Sequence, residues 1–423
     1  MIVTGIVAEY NPFHNGHRYL IESVRRLYPE AAIICVMSGH FLQRGEPALV
    51  NKWARAEMAV SSGADLIIEL PLVFSVRSAY YFARSALMLL SQTGLVTHLA
   101  FGSESGDCQE LKTIAHLLAD EPAEYRDRLK AYLSQGYSFP VARSYALRDW
   151  FKDDPHLEHL LSQPNNILAL EYLRVIKELQ LNIEPIAVKR QGSFHSTDLS
   201  PFASATAIRQ FLMQGNNIAE LRTALPLPSS QILEREIERG AGPVFDRDLS
   251  SLILYRLRTL PLEELGKIYE ITEGLEYRIK ESAQRSSTLD QLRQSIKSKR
   301  YNMTKINRLL IYALLNISAR QMEAFDETGP LYHRVLAFSS RGQQLLQQMQ
   351  RRSSLPIFSR GSQVKAAFDG KWGPAVKEMI TQDIMATDVY ALALPNHALR
   401  RGGLDFTASP VRVTGDSSPT TGE

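Results

Sequence analysis

The stretch that decides the fold is IVTGIVAEYNPFHNGH, residues 2–17 of the 423-residue chain. Its first part, Ile2–Ala8, is an apolar run rich in β-branched residues, which predicts a buried strand. A polar turn follows over Glu9–Asn15, and a helix is predicted from about Gly16 to Arg26. A helix that begins directly after a buried strand presents unpaired N–H groups and a partial positive charge at its first turn. The opening stretch therefore predicts an anion site at one edge of a sheet.

The same alternation of strand and helix continues through the first half of the chain. Further strands are predicted at residues 31–37, 65–70, 97–101 and 183–188, and helices at 51–61, 79–90, 166–179 and 204–215. Gln109–Arg148 is helical and amphipathic, with one buried stripe formed by Leu111, Ile114, Leu117 and Leu118. Strands that alternate with helices predict a parallel sheet that binds ligands beyond the carboxyl ends of its strands.

Two changes in composition divide the chain into three parts. The α/β pattern covers residues 1–225, and residues 226–400, which open with Pro226–Pro228, show long helical stretches with few strand signals. Residues 401–423 are predicted to be a tail, disordered from about Thr414 because nothing apolar is left to bury. The predicted fold class is therefore α/β, with a parallel-sheet domain followed by a mainly α-helical domain.

Composition excludes several classes of protein. Hydrophobic residues make up 44% and charged residues 22%, which excludes a largely disordered or fibrous chain. The formal net charge of +3 argues neither for nor against a polyanionic partner. Cys35 and Cys108 are too few for a disulfide framework and lack zinc-site spacing, which fits a reducing cytoplasm. Met1–Val7 has no basic leader and is followed by Glu9 and Pro12, and Leu66–Phe74 is broken by Glu69 and Pro71, so no secretory segment and no membrane span are predicted.

His14 and His17 are the candidate catalytic residues. They stand three positions apart at a helix start, so both imidazoles can point at one phosphate, and Gly16 lets the backbone approach it closely. Such donors would stabilise charge that develops on an α-phosphate and on leaving pyrophosphate, by roughly 3 kcal/mol each. The alternative is a pair of helix-capping or surface histidines.

Two segments carry a resemblance to a known superfamily. Asn11–His17 resembles the HxGH signature of the adenylyl-transferring nucleotidyltransferases, whose fold is a Rossmann-like parallel sheet. Ala203–Arg209 is similar to their ISSTxIR motif, with Ala203 and Ala205 in place of the first Ile and the second Ser. Further segments resemble one family within this superfamily, the bacterial tRNA(Met) cytidine acetate ligases, and the resemblance covers most of residues 1–400. These segments are residues 38–48, 63–71, 101–104, 164–172 and 298–301.

This resemblance implies a two-step reaction. ATP and acetate would give acetyl-adenylate and pyrophosphate, and the exocyclic amine of the wobble cytidine in elongator tRNA(Met) would then take the acetyl group. The products would be N4-acetylcytidine and AMP. Mg²⁺ is expected with ATP, and phosphate and water would supply most of its ligands because no carboxylate cluster marks a metal site.

The resemblance also implies which residues bind ATP. Ser204, Thr206 and Arg209 would hold the β- and γ-phosphates, although Ser and Thr are also ordinary helix caps. Either Asn165 or Asn166 would read polar edges of the nucleotide, and Arg190 would meet phosphate oxygens. The full predicted set is Val7, Ala8, Glu9, Tyr10, Asn11, Pro12, Phe13, His14, Asn15, Gly16, His17, Arg18, Tyr19, Leu20, Gly102, Asn165, Asn166, Lys189, Arg190, Ser204, Thr206 and Arg209.

Basic residues gather in the helical part of the chain. Four of them are predicted to bind tRNA: Lys299, Arg300, Lys305 and Arg308. The alternative is a solvated helix face, which is the usual meaning of a run of charges. Phosphate contacts from these residues would make RNA affinity fall steeply with salt.

Other polar residues near strand ends have two interpretations each. Asp65 and Glu69 are interpreted as structural, with Glu69 paired to Arg55 or Arg77. A second set can either contact the substrate or stabilise the loop after the second strand: His40, Gln43 and Arg44. Cys35 is interpreted as a core residue.

Two other functions fit parts of the sequence. One is a metabolic nucleotidyltransferase that joins AMP to a phosphorylated small molecule, which would need no large basic helical domain and would be indifferent to acetate. The other is an RNA-binding or assembly factor that keeps a vestigial ATP site. Unchanged cellular wobble acetylation after His17→Ala would favour this second alternative.

Overall fold

The computed structural model describes residues 1–152, 160–161, 163–191 and 200–414. The tail that the sequence predicts to be disordered lies, from residue 415 onward, outside the described residues. The strands are β1 (Val3–Ala8), β2 (Ala32–Ser38), β3 (Leu66–Leu70), β4 (His98–Ser103), β5 (Glu184–Lys189), β6 (His333–Ser339), β7 (Ile357–Phe358) and β8 (Val411–Val413).

The five strands predicted from the first half of the chain form a parallel sheet. Their order is β5-β4-β1-β2-β3, so β1 lies at the centre with β2 and β4 as its neighbours. The registers place Val3 opposite Ala32 and Ile34 opposite Leu66. All residues of β2 and β3 are buried, as expected for central strands covered by helices on both faces.

The sheet does not stop at β3, and this differs from the sequence prediction. In the region predicted to be helical, β6 pairs antiparallel with β3, and β7 pairs parallel with β6. Within the predicted tail, β8 also pairs parallel with β6, so residues 411–413 belong to the sheet. The sheet is therefore mixed and has eight strands within the described residues. The strand signal of β6 is a short apolar run directly before a helix, and its partner lies more than 260 residues earlier in the chain.

Helices surround this sheet. They are α1 (Asn15–Leu27), α2 (Lys52–Ser61), α3 (Leu72–Ser75), α4 (Ala79–Ser91), α5 (Cys108–Asp120), α6 (Ala123–Ser134), α7 (Phe139–Trp150), α8 (Pro164–Glu178), α9 (Ala205–Met213), α10 (Leu227–Glu238), α11 (Ser250–Thr259), α12 (Leu262–Gly266), α13 (Leu275–Arg285), α14 (Leu289–Ile296), α15 (Met303–Leu314), α16 (Ala319–Thr328), α17 (Ser340–Arg352), α18 (Gly361–Phe368), α19 (Pro374–Ala391) and α20 (Leu404–Thr407). None of the helices in the described ranges is long and apolar enough to cross a membrane.

The long helical stretch predicted at Gln109–Arg148 consists of three helices. Pro122 caps the start of α6, and Gly136 has a φ of +82° in the turn before α7, so neither position continues a helix. The predicted stripe on α5 is buried and belongs to the core, which confirms that part of the prediction.

A network of buried charges joins β3 to the last part of the chain. The Lys52 ammonium group lies 2.8 Å from the Glu69 carboxylate and 2.9 Å from the Asp405 carboxylate. Arg334 on β6 bonds the same two acids, at 3.4 and 2.8 Å. Two positive and two negative groups thus compensate one another where water is excluded.

The expected partners of Glu69 were wrong, although its structural role is consistent with the geometry. Arg55 instead donates to backbone carbonyls that include those of Val50 and Glu9. Arg77 pairs with Asp326 at 2.8 Å. A buried guanidinium can be satisfied by backbone carbonyls or by a carboxylate from a distant segment, and sequence alone does not distinguish these partners.

Candidate active site

A cleft of about 800 Å³ opens beyond the carboxyl ends of β1, β4 and β5. The first turns of α1, α8 and α9 all reach it, through His17, Asn165 and Thr206. This is the edge of the sheet where the sequence predicts ligand binding. The members of the predicted ATP set that line the cleft are Val7, Ala8, Glu9, Tyr10, Asn11, His14, Gly16, His17, Tyr19, Leu20, Gly102, Asn165, Lys189, Arg190, Ser204, Thr206 and Arg209.

Five members of the set do not line the cleft. Phe13 is fully buried beneath it, and its ring lies 5.4 Å from that of His17. The Asn15 amide donates to the Pro201 and Thr223 carbonyls, both at 2.9 Å, and so ties the start of α1 to the chain around α9. The others are Pro12, which is buried, Arg18, which pairs with Glu22, and Asn166.

Each of the two histidines uses one ring nitrogen to cap α1. His14 is the N-cap residue, and its Nδ1 accepts a hydrogen bond from the Gly16 N–H at 3.0 Å. In return, Nδ1 of His17 accepts from the His14 N–H at 3.2 Å, which completes a capping box. The rings stack with their centroids 3.8 Å apart. The capping alternative is therefore correct for Nδ1, and both Nε2 atoms are free of partners among the described residues.

The histidine rings are neutral at physiological pH. Burial, together with the nearby Arg190 and Arg209 charges, lowers the pKa of His14 to about 3. Burial and the His14 ring lower the pKa of His17 well below its usual value. A neutral ring whose Nδ1 accepts a hydrogen bond carries its proton on Nε2. The cap thus fixes the tautomer, and each histidine offers an Nε2–H donor to the cleft.

Arg190 and Arg209 add positive charge on either side of these donors. Arg190 Nη1 donates to Asn165 Oδ1 at 3.3 Å, and burial lowers the pKa of this guanidinium. Arg209 donates to the Asn11 carbonyl at 3.1 Å and to the Thr206 hydroxyl at 3.4 Å. Two arginines and two imidazole donors in one cleft are suited to binding a chain of phosphates.

The second motif forms the start of α9. Ser204 is the N-cap residue, and its hydroxyl accepts from the Ala207 N–H at 3.1 Å. Thr206 and Arg209 follow on the first two turns and line the cleft. The helix-cap interpretation is therefore correct for Ser204, and the same cap directs the N-terminal end of α9 at the cleft.

Asn165 and Asn166 separate into two roles. Asn166 is 1% exposed, and its Oδ1 accepts from the Ser103 hydroxyl at 2.8 Å and from the Glu104 N–H at 2.9 Å. It therefore holds the end of β4 against α8. Asn165 lines the cleft and donates to Glu104 at 2.6 Å. A Cβ on Gly102 would lie 3.3 Å from Arg190 Cγ, so glycine there lets the Arg190 side chain pass closely over β4.

Residues 1–403 match the family model described as HIGH Nucleotidyl Transferase. A tRNA(Met) cytidine acetate ligase of Syntrophomonas wolfei is 52% identical over 416 residues, which cover 98% of this chain and 100% of that protein. The chain belongs to the tRNA(Met) cytidine acetate ligase family. A protein of the same name from Halothermothrix orenii is 39% identical and covers 96% of this chain and 98% of its own length. The family prediction made from the motifs is confirmed.

Solved structures show the same fold. Thermotoga maritima TmcAL bound with alpha-thio ATP has a TM-score of 0.91 to this chain at 36% identity, covering 98% of this chain and 100% of that one. The apo form of the same protein has a TM-score of 0.92, with the same identity and coverage. The α/β nucleotidyltransferase fold predicted from sequence is confirmed.

The loop after β2 divides between the two interpretations given to it. His40 is buried away from the cleft, and Thr387 and the Tyr390 ring contact its imidazole, so its role is structural. Gln43 and Arg44 line the cleft. The Gln43 N–H donates to a Glu9 carboxylate oxygen at 2.7 Å. Burial raises the pKa of this Glu9 carboxyl above its usual value, although the Gln43 bond opposes the rise.

The four basic residues predicted to bind tRNA do not share one environment. Lys299 and Arg300 are exposed, and Arg300 pairs with Glu273. Lys305 is half-buried, with its ammonium 5.3 Å from the centre of the Tyr301 ring. Arg308 is only 8% exposed and lines the cleft. The structure therefore places Arg308 in the cleft, apart from Lys299 and Arg300 at the outer surface.

Several residues of the cleft carried no functional prediction. Arg143 on α7 forms a close ion pair with Glu171 on α8, and both line the cleft together with Tyr172. Asn302 and Thr304 reach it from the start of α15. Glu171 and Tyr172 stand in the segment 164–172 that carries the family resemblance, so a signal existed for them. Asn302 and Thr304 had none, because only the packing of α15 brings them to the sheet.

Proposed function

We propose that this protein is an ATP-dependent tRNA(Met) cytidine acetate ligase that acts through acetyl-adenylate. In the first step an acetate oxygen attacks the α-phosphate of ATP and pyrophosphate leaves. In the second step N4 of the wobble cytidine in elongator tRNA(Met) attacks the acetyl carbon, and AMP leaves. The observation that carries the proposal is similarity over nearly the whole chain to relatives of that name.

The geometry of the cleft fits the first step. A carboxylate is a poor acyl donor at neutral pH, and joining it to AMP supplies a leaving group. The two Nε2–H donors of His14 and His17 would stabilise the charge that develops on the α-phosphate and pyrophosphate. Arg190 and Arg209 would hold the outer phosphates, with Ser204 and Thr206 at the start of α9. The neutral state of the histidines lets them donate without a change of protonation.

The same cleft fits the second step. The mixed anhydride is prone to hydrolysis, and a partly enclosed site at the sheet edge would protect it from water. The attacking amine must lose a proton once the new N–C bond forms. Glu9 lines the cleft, and because burial raises the pKa of its carboxyl, its carboxylate is a stronger proton acceptor than an exposed one.

ATP would enter as its Mg²⁺ complex. The described residues contain no group of three or more His, Cys, Asp or Glu side chains that could hold a metal ion. Phosphate oxygens and water would therefore supply most of the Mg²⁺ ligands, which is the usual arrangement for this ion. The predicted ATP set remains our proposal for the nucleotide site. The five members that do not line the cleft would support the residues that do.

We assign the second half of the chain to tRNA binding. Residues 1–225 would carry the chemistry, and residues 226–400 would present Lys299, Arg300 and Lys305 to the phosphate backbone. Arg308 would act inside the cleft instead. The two free cysteines, Cys35 and Cys108, fit work in a reducing cytoplasm.

Mass spectrometry tests the proposal directly. Purified protein is incubated with ATP, acetate and elongator tRNA(Met), and the RNA is digested to nucleosides. We expect one acetyl group gained on the wobble cytidine, and no gain when ATP or acetate is omitted. Initiator tRNA is the matched control. A metabolic nucleotidyltransferase would leave the RNA unchanged and would consume ATP regardless of acetate.

A further inference from the structure

A cluster of exposed apolar side chains lies between α6 and α7. Four of the twelve exposed large hydrophobic side chains in the described residues fall within nine positions: Leu133, Tyr137, Phe139 and Val141. Phe139 is 51% exposed and Tyr137 is 41% exposed. Concentration of apolar surface in one place marks an interaction site more often than scattered residues do.

The Tyr137 ring of this cluster packs against two neighbouring tyrosines, Tyr132 and Tyr145. The Tyr137 ring lies 5.2 Å from the Tyr145 ring and 6.3 Å from the Tyr132 ring, and Tyr132 and Tyr145 lie 5.2 Å apart. The Tyr132 hydroxyl donates to Asp149 at 2.7 Å, and the Arg148 guanidinium lies 5.1 Å from the centre of the Tyr145 ring. Because neighbouring side chains hold these tyrosine rings in place, little side-chain conformational entropy is lost when a flat ligand stacks on them.

The cluster is continuous with the active-site cleft. Phe139, Val141 and Tyr145 line the same cleft as His14 and His17. A ligand that rests on Tyr137 and Phe139 would therefore lie beside whatever enters the cleft. This position is distinct from the basic surface at Lys299 and Arg300, which belongs to the other half of the chain.

The surrounding charge favours a polyanion. Residues 122–152 contain six basic and three acidic side chains, a net charge of +3 on this short stretch. The basic ones are Arg126, Arg128, Lys130, Arg143, Arg148 and Lys152. Aromatic faces among basic side chains are the combination by which proteins bind unpaired nucleotides, since the bases stack and the phosphates meet the cations.

We propose that Tyr137, Phe139 and Tyr145 form a stacking platform for unpaired RNA bases that flank the acceptor cytidine. This inference rests on the proposed function, because it places the neighbours of the modified nucleotide. An acceptor nucleotide that enters the cleft from a single-stranded loop must leave its stacked neighbours, and aromatic side chains at the rim replace that stacking. A second copy of this chain is a poorer occupant, because a patch of a few side chains falls short of the roughly 800 Å² per partner of stable interfaces.

Alanine and aromatic substitutions test the platform. Tyr137→Ala and Phe139→Ala are compared with Tyr137→Phe and Phe139→Tyr, and with Leu27→Ala, which removes an apolar side chain that is 60% exposed at the end of α1. We expect each alanine variant on the platform to raise KM for tRNA roughly five- to 150-fold, from the usual worth of one base–aromatic stack. The aromatic replacements and Leu27→Ala should keep the wild-type KM, and thermal unfolding checks that every variant is folded.

Two further readouts separate the possible outcomes. Acetate-dependent ATP–pyrophosphate exchange, measured for Tyr137→Ala without tRNA, should match the wild type. A tRNA with 2-aminopurine beside the wobble position should show fluorescence quenching on binding, and the double alanine variant should lose it. If the wild type acetylates tRNA and the double variant does so with the same KM and quenching, the platform is refuted. If instead the wild type is a dimer, the double alanine variant is a monomer and tRNA binding is unchanged, the patch serves self-association. A wild type that never acetylates tRNA refutes the proposed function itself.

Discussion

Asparagine at position 14 or 17 would separate helix capping from phosphate binding. The Nδ1 atom of each histidine serves the cap, and both residues line the cleft, so Nε2 is the ring nitrogen left to contact a ligand. Asparagine Oδ1 stands at the same bond separation from the backbone as histidine Nδ1. His14→Asn can therefore still accept from the Gly16 N–H, and His17→Asn can still accept from the His14 N–H, while both lose the Nε2–H donor.

The two losses differ in size. An N-cap replaced by alanine costs about 1 kcal/mol of stability, and an asparagine cap should cost close to nothing. One donor to a developing oxyanion is worth about 2.7–4 kcal/mol, or about 100- to 1000-fold in kcat. We therefore expect each asparagine variant to unfold at nearly the wild-type urea concentration and to exchange pyrophosphate about 100- to 1000-fold more slowly.

The assay is acetate-dependent exchange of labelled pyrophosphate into ATP, with urea unfolding of the same preparations. Alanine at either position is the comparison, because it should lose both stability and rate. The reasoning would be refuted by an asparagine variant that exchanges pyrophosphate within about threefold of the wild type. In that case the rings serve the cap alone, and other groups carry the phosphate chemistry.

Three other perturbations have expected outcomes. Burial lowers the pKa of His14 to about 3 and that of His333 to about 4, so the unfolded chain binds protons that the folded chain does not. The free energy of unfolding should therefore fall by about 1.4 kcal/mol per pH unit for each histidine as the pH drops below about 6.5. A urea midpoint that stays constant from pH 7 to 5 would contradict this. Replacing Lys299 and Arg300 with glutamine should weaken tRNA binding and reduce its salt dependence, measured by filter binding. The rate of acetate-dependent ATP–pyrophosphate exchange should not change. A large loss of that exchange would assign the two residues to the first step. Asp405→Asn leaves the buried Lys52 and Arg334 with one carboxylate between them. The free energy of unfolding, measured with urea, should fall by about 3–5 kcal/mol. A loss near zero would show that water reaches this network of buried charges.

Local patterns predicted the half of the molecule that builds the nucleotide site. The period of the apolar residues identified β1 to β5, and the polar residues predicted after β1 and β5 meet in one cleft, whereas His40 after β2 does not reach it. The reason is that the carboxyl ends of parallel strands lie at one edge whatever the details of packing. The order of strands and helices along the chain is therefore enough to place His14, His17 and Arg209 together.

The rest depends on contacts between distant parts of the chain. The pairing of β6 with β3 joins segments with more than 260 residues between them, and no local turn or loop pattern predicts this pairing. Arg308 looks like one of a basic group in the sequence, but α15 packs so tightly on the loop after β2 that a Cβ on Gly45 would lie 2.5 Å from the Arg308 backbone nitrogen. Charge alone cannot distinguish a side chain at the surface from one turned into a cleft.

The attachment of β8 and Asp405 to the central sheet affects how the protein can be made. Asp405 contacts Lys52 beside β3, and β8 completes the edge that β6 begins. On a translating ribosome the nucleotide-binding half emerges first, but β3 has an unpaired edge until β6 leaves the exit tunnel, and Lys52 lacks its second carboxylate until Asp405 follows. A gene fragment that stops at residue 225 should therefore yield an aggregation-prone product, and dissection of this enzyme is better done by point substitution than by truncation.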